Sequence, residues 1–293
     1  MDIKTAEQMI REFDSNPNPN DEQLFMTTEA LSWLIHERHS PKDMMYLGGI
    51  YYERKDFALA RKYYEMAAEQ DYEPAHSCLG YLYYYGRTGE RDYEQAFLHF
   101  QKSMELGNSV STYKVADMYK NGYYVQRDYA KYTGMIEALW KRVRKMQYLE
   151  DPVPEVAVRL AGIRAGQGKN EEAVSLYLQA KSYLAQRIEH HPFFGNFTIM
   201  KDLIHNLYRL IPVDRDNLDF YDLYEVQAQP CQVTFYDKGK PCQILAAAEG
   251  TDMVISFGGK CFRTVDDFMQ KGMLDGELLS SRAGQFYDFE VTG

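Results

Sequence analysis

Residues 75–107 contain one full copy of a motif that recurs along the first half of the chain, AHSCLGYLYYYGRTGERDYEQAFLHFQKSMELG. The pair Leu79-Gly80 is followed by Tyr83 and then by a block of aromatic and alanine residues. A repeat spacing in the thirties is typical of a helical solenoid, in which each copy forms two helices that stack on the next copy. The same positions recur in the neighbouring copies as Leu47, Gly48, Tyr51, Asp56, Ala60 and Tyr64, and as Val115, Ala116, Tyr119, Asp128 and Tyr132.

The residue types within a copy explain how its two helices pack. Leu47 and Tyr51 are four residues apart, so they share one face of the first helix. Gly48 lets the second helix approach closely, and Ala60 presents a small side chain at that contact. The Tyr64 ring fills the space between turns. The two longer copies place their extra residues in the turn, around glycines that support tight connections.

The segments on either side of the repeats differ from them. Residues 1–40 contain two amphipathic helices, separated by alternating asparagine and proline, which we expect to cap the stack. After a linker at 211–219 the hydrophobic pattern alternates from Tyr221 onward, which indicates strands. We predict an all-α solenoid of antiparallel helix pairs over 41–212, followed at 220–293 by a small α+β domain with an antiparallel sheet. The predicted elements of the last part are a helix at 197–210 capped by Asn196, strand pairs at 232–236 and 243–247, 253–257 and 260–263, and 277–280 and 285–291, and a helix at 265–271.

The repeats resemble the Sel1-like repeat, a relative of the tetratricopeptide repeat. The family pattern is an alanine, then Leu-Gly and Tyr, a turn with glycine and aspartate, an aromatic residue, alanines and a closing glycine. The resemblance covers roughly residues 41–181 and weakens along the chain, since Val115-Ala116 replaces Leu-Gly in the third copy. The residues of the second copy that carry it are Ala75, Leu79, Gly80, Tyr83, Gly86, Asp92, Ala96, Phe100 and Gly107.

This resemblance implies a binding groove along the first helices of the copies. If tetratricopeptide geometry holds, three positions of each first helix line the groove. One lies two residues before the leucine of the Leu-Gly pair, and the others lie two and five residues after it. Tyrosine offers a large apolar surface and a hydroxyl, and is enriched where proteins bind. The alternative is that these rings pack between neighbouring first helices. We predict a protein or peptide partner held by Met45, Tyr52, Tyr81, Tyr84, Tyr113, Asp117 and Lys120.

Composition limits the classes of partner. The formal net charge is -10, from 33 basic and 43 acidic residues, which argues against a general grip on nucleic acid or anionic lipid. The sequence has no apolar run long enough to predict a membrane span, and we see no secretory signal at the amino terminus. A hairpin turning at Lys238-Gly239 places Cys242 opposite Phe235 and Cys231 opposite Ala246, so we expect reduced thiols in a cytoplasmic protein. The oligomeric state is left open.

No catalytic or metal constellation is visible in the sequence. His190-His191 and His205 lack cysteine or carboxylate partners at ligand spacing, so we expect no metal and no cofactor. Two alternatives to an interaction scaffold remain open. One is an immunity-type or inhibitor protein for a basic toxin, because 14 acidic residues against seven basic ones follow Val213. The other is an enzyme whose carboxy-terminal domain is catalytic through Asp266, Asp267 or Cys261.

Overall fold

The computed structural model describes residues 1–146, 152–249 and 252–292. The chain divides into two compact units, Met1–Met135 and Ile136–Gly293, which we call unit 1 and unit 2. The predicted domain boundaries at 40 and at 212–220 remain predictions. No helix in the described ranges is long and apolar enough to cross a membrane.

Unit 1 is a succession of helices in which each of the first six packs against the next. The first helices of the three copies are α3, α5 and α7, and the second helices are α4, α6 and α8. The boundary between the units falls within α8. The bounds are α1 Ile3–Ser15, α2 Asp21–Arg38, α3 Pro41–Glu53, α4 Phe57–Ala68, α5 Glu73–Tyr85, α6 Tyr93–Glu105, α7 Ser109–Asn121 and α8 Tyr129–Val143.

The contacts within each copy are those that the sequence predicts. A Cβ added at Gly48 would lie 2.5 Å from the Tyr64 ring, and one added at Gly80 would lie 2.5 Å from the Phe100 ring. Glycine is therefore required where the second helix crosses the first. Ala60 is fully buried at the same contact.

Local signals end the helices of the repeats. Asp56 and Asp92 cap the amino ends of α4 and α6, and Asn108 caps α7, each accepting a hydrogen bond from a backbone N–H of the first turn. Gly86 and Gly122 end α5 and α7 in the left-handed conformation, as expected for the two longer turns.

Unit 2 begins with the end of α8 and continues with α9 (Val153–Gly166), α10 (Asn170–His190) and α11 (Phe194–Tyr208). The prediction that Asn196 caps α11 is wrong. The helix begins at Phe194, three residues before the predicted start at 197. The buried Asn196 lies within the helix and donates from Nδ2 to the carbonyl oxygen of His191. The exposed Phe193 takes the cap position without a side-chain cap hydrogen bond.

The remaining elements are mainly strands. A 3₁₀ turn (Phe220–Asp222) and α12 (Leu223–Val226) precede a five-stranded antiparallel sheet of order β4-β3-β2-β1-β7, and β5 and β6 form a separate pair. Three two-residue turns have positive φ at both positions, at Lys238-Gly239, Gly258-Gly259 and Asp275-Gly276. The bounds are β1 Cys231–Asp237, β2 Lys240–Glu249, β3 Asp252–Phe257, β4 Lys260–Phe262, α13 Val265–Lys271, β5 Met273–Leu274, β6 Glu277–Leu278 and β7 Tyr287–Thr292.

The first hairpin has the predicted register. Cys231 lies opposite Ala246 and Cys242 opposite Phe235, and all four cysteines are free. The strands predicted at 277–280 and 285–291 are present as β6 and β7 with shifted ends, but they do not pair with each other, because Leu279–Gln285 between them forms a 3₁₀ helix. That segment turns inward because Arg282, which is 4% exposed, donates two hydrogen bonds to Asp237 at 2.6 Å.

Helices and sheet of unit 2 share one hydrophobic core. It includes Leu184 of α10, Leu203 of α11, Phe235 of β1 and Phe268 of α13, all fully buried. The sheet therefore packs with the last three long helices rather than forming a core of its own.

Candidate functional site

A lysine lies among four tyrosine rings on the first helices α5 and α7. The Nζ atom of Lys114 is 4.9 Å from the ring centroid of Tyr81, 5.5 Å from that of Tyr84, and 5.8 Å from those of Tyr85 and Tyr113. An ammonium group within about 6 Å of an aromatic face is attracted by the electrons of the ring. The sequence prediction brings Tyr81, Tyr84 and Tyr113 together, as the structure does, but it did not include Lys114 or Tyr85.

The same surface continues through a second cation toward α3. The guanidinium carbon of Arg87 is 5.6 Å from the ring centroid of Tyr85 and 5.8 Å from that of Phe57. The Phe57 ring in turn meets Tyr52 edge to face, with centroids 5.3 Å apart. We call this surface the cation–tyrosine strip, and define it by Tyr52, Phe57, Tyr81, Tyr84, Tyr85, Arg87, Tyr113 and Lys114.

The rings of the strip differ in how much surface they leave for a partner. Tyr85 is 45% exposed, whereas Tyr113 is 6% exposed. Tyr81 and Tyr84 are half-buried, and both pack edge to face on Phe100. The strip therefore combines rings that stabilise the repeat with rings that remain accessible, and Tyr85 is the most accessible of them.

Burial also affects the chemistry of Tyr84. Its ring lies against those of Tyr93 and Tyr123. Desolvation, followed by the nearby Tyr123 hydroxyl and the Asp117 carboxylate, raises the pKa of Tyr84 to about 12. The hydroxyl is consequently a hydrogen-bond donor at neutral pH and not a base.

The other predicted site residues lie at the edges of this surface. Met45 and Tyr52 are half-buried against the cluster that contains Leu79 and Leu82. Lys120 is exposed, with its Nζ atom 5.4 Å from the centroid of Tyr132 on α8. Lys120 therefore contacts a different ring from those around Lys114.

Sequence reasoning missed four residues of the strip, Phe57, Tyr85, Arg87 and Lys114, for an identifiable reason. Phe57 begins the second helix α4. Repeat geometry selects fixed positions on the first helix, whereas Arg87 lies in the turn after Gly86 and Tyr85 is the last helical residue. Lys114 follows the predicted Tyr113 directly. The signal available in the sequence was the tyrosine-rich end of α5, which includes Tyr81, Tyr84 and Tyr85, followed one copy later by Lys114.

The carboxylates and thiol considered for catalysis have structural contacts. Asp266 forms an ion pair with Lys201 of α11, and Asp267 with Lys271. Thr264 caps α13 and accepts a hydrogen bond from the backbone N–H of Asp267. The Cys261 thiol is exposed and lies 3.5 Å from the hydroxyl of Ser256.

Comparison with known families identifies the repeats. The family model of the Sel1 repeat matches residues 40–72, 75–108 and 109–131. Three consecutive stretches of unit 1 thus match the Sel1 repeat. The match ends before α9 and α10, to which the resemblance in sequence also extends, and the carboxy-terminal sheet has no family match. Among curated proteins no significant match exists.

Three solved structures of repeat proteins are similar to this chain to different degrees. A Sel1 repeat protein from Oxalobacter formigenes is 20% identical, with a TM-score of 0.52, over 69% of this chain and 77% of that one. The protective antigen c5321 of uropathogenic Escherichia coli, which displays an SLR fold, is 21% identical over 68% of this chain and 47% of its own, with a TM-score of 0.42. YrrB, a TPR protein with an unusual peptide-binding site, is 14% identical over 64% of this chain and 95% of its own, with a TM-score of 0.39. Only the first is similar enough to support an argument, and it supports the fold alone.

Sel1 and tetratricopeptide-like repeats generally mediate protein–protein interaction, and the fold is typically a non-enzymatic scaffold. No catalytic family is indicated for this chain.

Proposed function

We propose that this protein is an interaction scaffold whose Sel1 repeats hold a peptide or protein segment along the cation–tyrosine strip. The observation that supports this most directly is the alternation of aromatic rings and cations from Tyr52 through Arg87 and Tyr85 to Lys114. A purely structural stripe of rings does not need two cations at its surface.

The strip favours a particular partner chemistry. Partly exposed tyrosine rings bury an apolar or aromatic side chain at low cost in conformational entropy. Arg87 and Lys114 are placed to contact a carboxylate, and Arg87 can do so with two parallel hydrogen bonds. We therefore expect a partner segment that carries an apolar anchor beside an acidic side chain, with Met45, Asp117 and Lys120 setting its position at the edges.

The variants that test this proposal must spare the fold. Tyr81 and Tyr84 are unsuitable for truncation because both rings pack on Phe100. Tyr85→Ala and Lys114→Gln alter the accessible part of the strip. Tyr124→Ala is a matched control, since Tyr124 is 52% exposed and its hydroxyl bonds Glu94 on α6.

The experiment has two steps. A partner is first captured with the full chain from a lysate of the organism that makes it, and is then purified and titrated against each variant. Truncation of an anchor residue at an interface costs on the order of 2 kcal/mol, so we expect roughly tenfold or greater weakening with Tyr85→Ala and Lys114→Gln. Tyr124→Ala should bind like the parent protein. Equal affinity of all four proteins would rule out the strip as the binding surface.

The inhibitor and enzyme hypotheses remain alternatives, and no contact described in the strip favours either of them. The inhibitor hypothesis requires a basic partner for the acidic carboxy-terminal part, and this requirement is independent of the strip.

A further inference from the structure

A second candidate binding surface lies in unit 2, along the edge of the sheet. β7 pairs with β1 on one side, and in the described ranges no strand pairs with its other side. The linker Arg215–Leu218 lies across from that open edge. Between them is an open cleft of about 950 Å³, also lined by Tyr236 and by residues 286–292, at the upper end of the range for ligand pockets.

The open edge offers backbone hydrogen bonds. In an antiparallel strand, alternate residues direct their N–H and C=O groups away from the paired neighbour. The six residues of β7 span about 20 Å, so a partner segment of similar length can lie alongside them. Such strand addition is a recurring way in which proteins bind extended peptides.

A bulge shapes this edge. Tyr236 pairs with Tyr287 and Thr234 with Glu290, so Asp288 and Phe289 together oppose Phe235. Asp288 adopts a positive φ of 53°, and the rings of Tyr236 and Tyr287 stack at one end with centroids 6.0 Å apart. Bulges of this kind bend the strand and redirect its side chains.

The charges along the cleft select among possible occupants. Asp216, Asp288 and Glu290 contribute three carboxylates against the single guanidinium of Arg215. Asp288 and Glu290 are exposed, and neither forms an ion pair in the described part of the chain. A second copy of β7 would bring the same two carboxylates against them, which disfavours self-pairing. A strand with basic side chains is complementary.

We propose that the outer edge of β7 binds an extended, basic segment of another protein by strand addition in this cleft. Backbone hydrogen bonds provide affinity, and Asp216, Asp288 and Glu290 select lysine or arginine at alternate positions of the segment. This site is separate from the cation–tyrosine strip and does not depend on it.

The test uses the full chain and synthetic peptides of six residues in which valine alternates with lysine or with glutamate. Two further lysine peptides carry N-methyl groups on one or the other alternate set of amides. Binding is followed by fluorescence anisotropy. We expect the lysine peptide to bind about tenfold or more tightly than the glutamate peptide. N-methylation should abolish binding for only one of the two alternate sets of peptide amides, since only that set donates hydrogen bonds to β7.

Protein variants locate the site. Asp288→Asn with Glu290→Gln removes two charges while asparagine retains the positive φ, and should weaken the lysine peptide roughly three- to tenfold. The matched control is Asp275→Asn with Glu249→Gln, which removes two exposed carboxylates elsewhere, one also at positive φ, and should have no effect.

Three results would overturn the proposal. They are equal or absent binding of the lysine and glutamate peptides, binding that is indifferent to N-methylation of either set, and self-association of the parent protein alone that the Asp288→Asn and Glu290→Gln changes strengthen. The last result would show that a second copy occupies the edge.

Discussion

Two adjacent glycines on α3 differ in their surroundings although both lie within the helix. A Cβ at Gly48 would overlap the Tyr64 ring at 2.5 Å, whereas a Cβ at Gly49 would have no heavy atom within 4 Å. The close approach of α3 and α4 therefore depends on a single missing methyl group. The neighbouring residue provides a control in the same turn.

Opposite effects are expected when these glycines are replaced by alanine. Gly48→Ala should destabilise unit 1 by about 1–3 kcal/mol because it forces the Tyr64 ring and α4 to shift. Gly49→Ala should stabilise it by roughly 0.5–1 kcal/mol, since alanine loses less backbone entropy in a helix. Urea unfolding followed by Trp33 fluorescence, in a Trp140→Phe background, measures both. Effects of the same sign would contradict the assigned role of Gly48.

At the scale of elements, a histidine pair connects α5 to α6. The Nδ1 atoms of His76 and His99 are 3.2 Å apart, and the His99 ring stacks on Tyr83 with centroids 5.7 Å apart. Burial, and then the neighbouring His76, lowers the pKa of His99 to about 4 from the usual 6.5. The folded protein thus keeps this ring neutral under conditions in which the unfolded chain would protonate it.

This difference predicts acid sensitivity of unit 1. Above the unfolded pKa of 6.5 both states hold His99 neutral, so it contributes no pH dependence there. As the pH falls from 6.5 toward about 4, the unfolded chain binds the extra proton and stability is lost, at about 1 kcal/mol per pH unit or less. His99→Phe should remove this contribution. Urea unfolding read from Trp33 measures the stability of the parent and the variant at neutral pH and near pH 5. The parent should lose more stability than the variant between these two pH values, and equal losses would refute the role of His99.

A buried ion pair connects the last 3₁₀ helix to β1. The side chains of Arg282 and Asp237 are 4% and 5% exposed, and the exposed Glu277 is the only other acid near Arg282 in the described ranges, at 3.4 Å. Loss of Asp237 alone would leave a buried charge with little compensation. Replacement of both partners by apolar side chains would leave no buried charge.

We therefore expect strong non-additivity at this pair. Asp237→Leu alone, which leaves the Arg282 charge buried, should destabilise unit 2 by about 3–5 kcal/mol, and Arg282→Met alone should also be strongly destabilising. Asp237→Leu combined with Arg282→Met should cost clearly less than the sum of the two single variants. The readout is urea unfolding monitored by Trp140 in a Trp33→Phe background. If the double variant loses as much as the sum of the two single variants, the ion pair is not what holds the 3₁₀ helix to the sheet.

These elements also show what sequence could predict and what it could not. The repeat helices follow from local signals, such as the caps Asp92 and Gly86, and from a spacing that recurs along the chain. The sequence predicts strands that extend into Leu279–Gln285 and not this 3₁₀ helix, because the determinant of the helix, the contact of Arg282 with Asp237, joins residues 45 positions apart. The candidate site divides in the same way. Tyr81, Tyr84 and Tyr113 follow from repeat geometry, but the positions of Arg87 and Lys114 depend on how a turn and a neighbouring helix pack.

At the scale of the whole molecule, the two units carry surfaces of different chemistry. Unit 1 presents cations between aromatic rings, in a chain whose net charge is -10, while the open strand edge of unit 2 is acidic. A scaffold with two such surfaces can bind two partners of opposite charge.

The central claim, that the cation–tyrosine strip binds a protein partner, is tested most directly by site-specific photo-crosslinking in the organism that makes the protein. A benzophenone amino acid replaces Tyr85 in one variant and the similarly exposed Tyr124 in another. We predict a discrete adduct with one partner protein from position 85, absent from position 124 and lost when Arg87→Gln and Lys114→Gln are added. Equal adducts from both positions, or an adduct at position 85 that survives loss of both cations, would contradict the account.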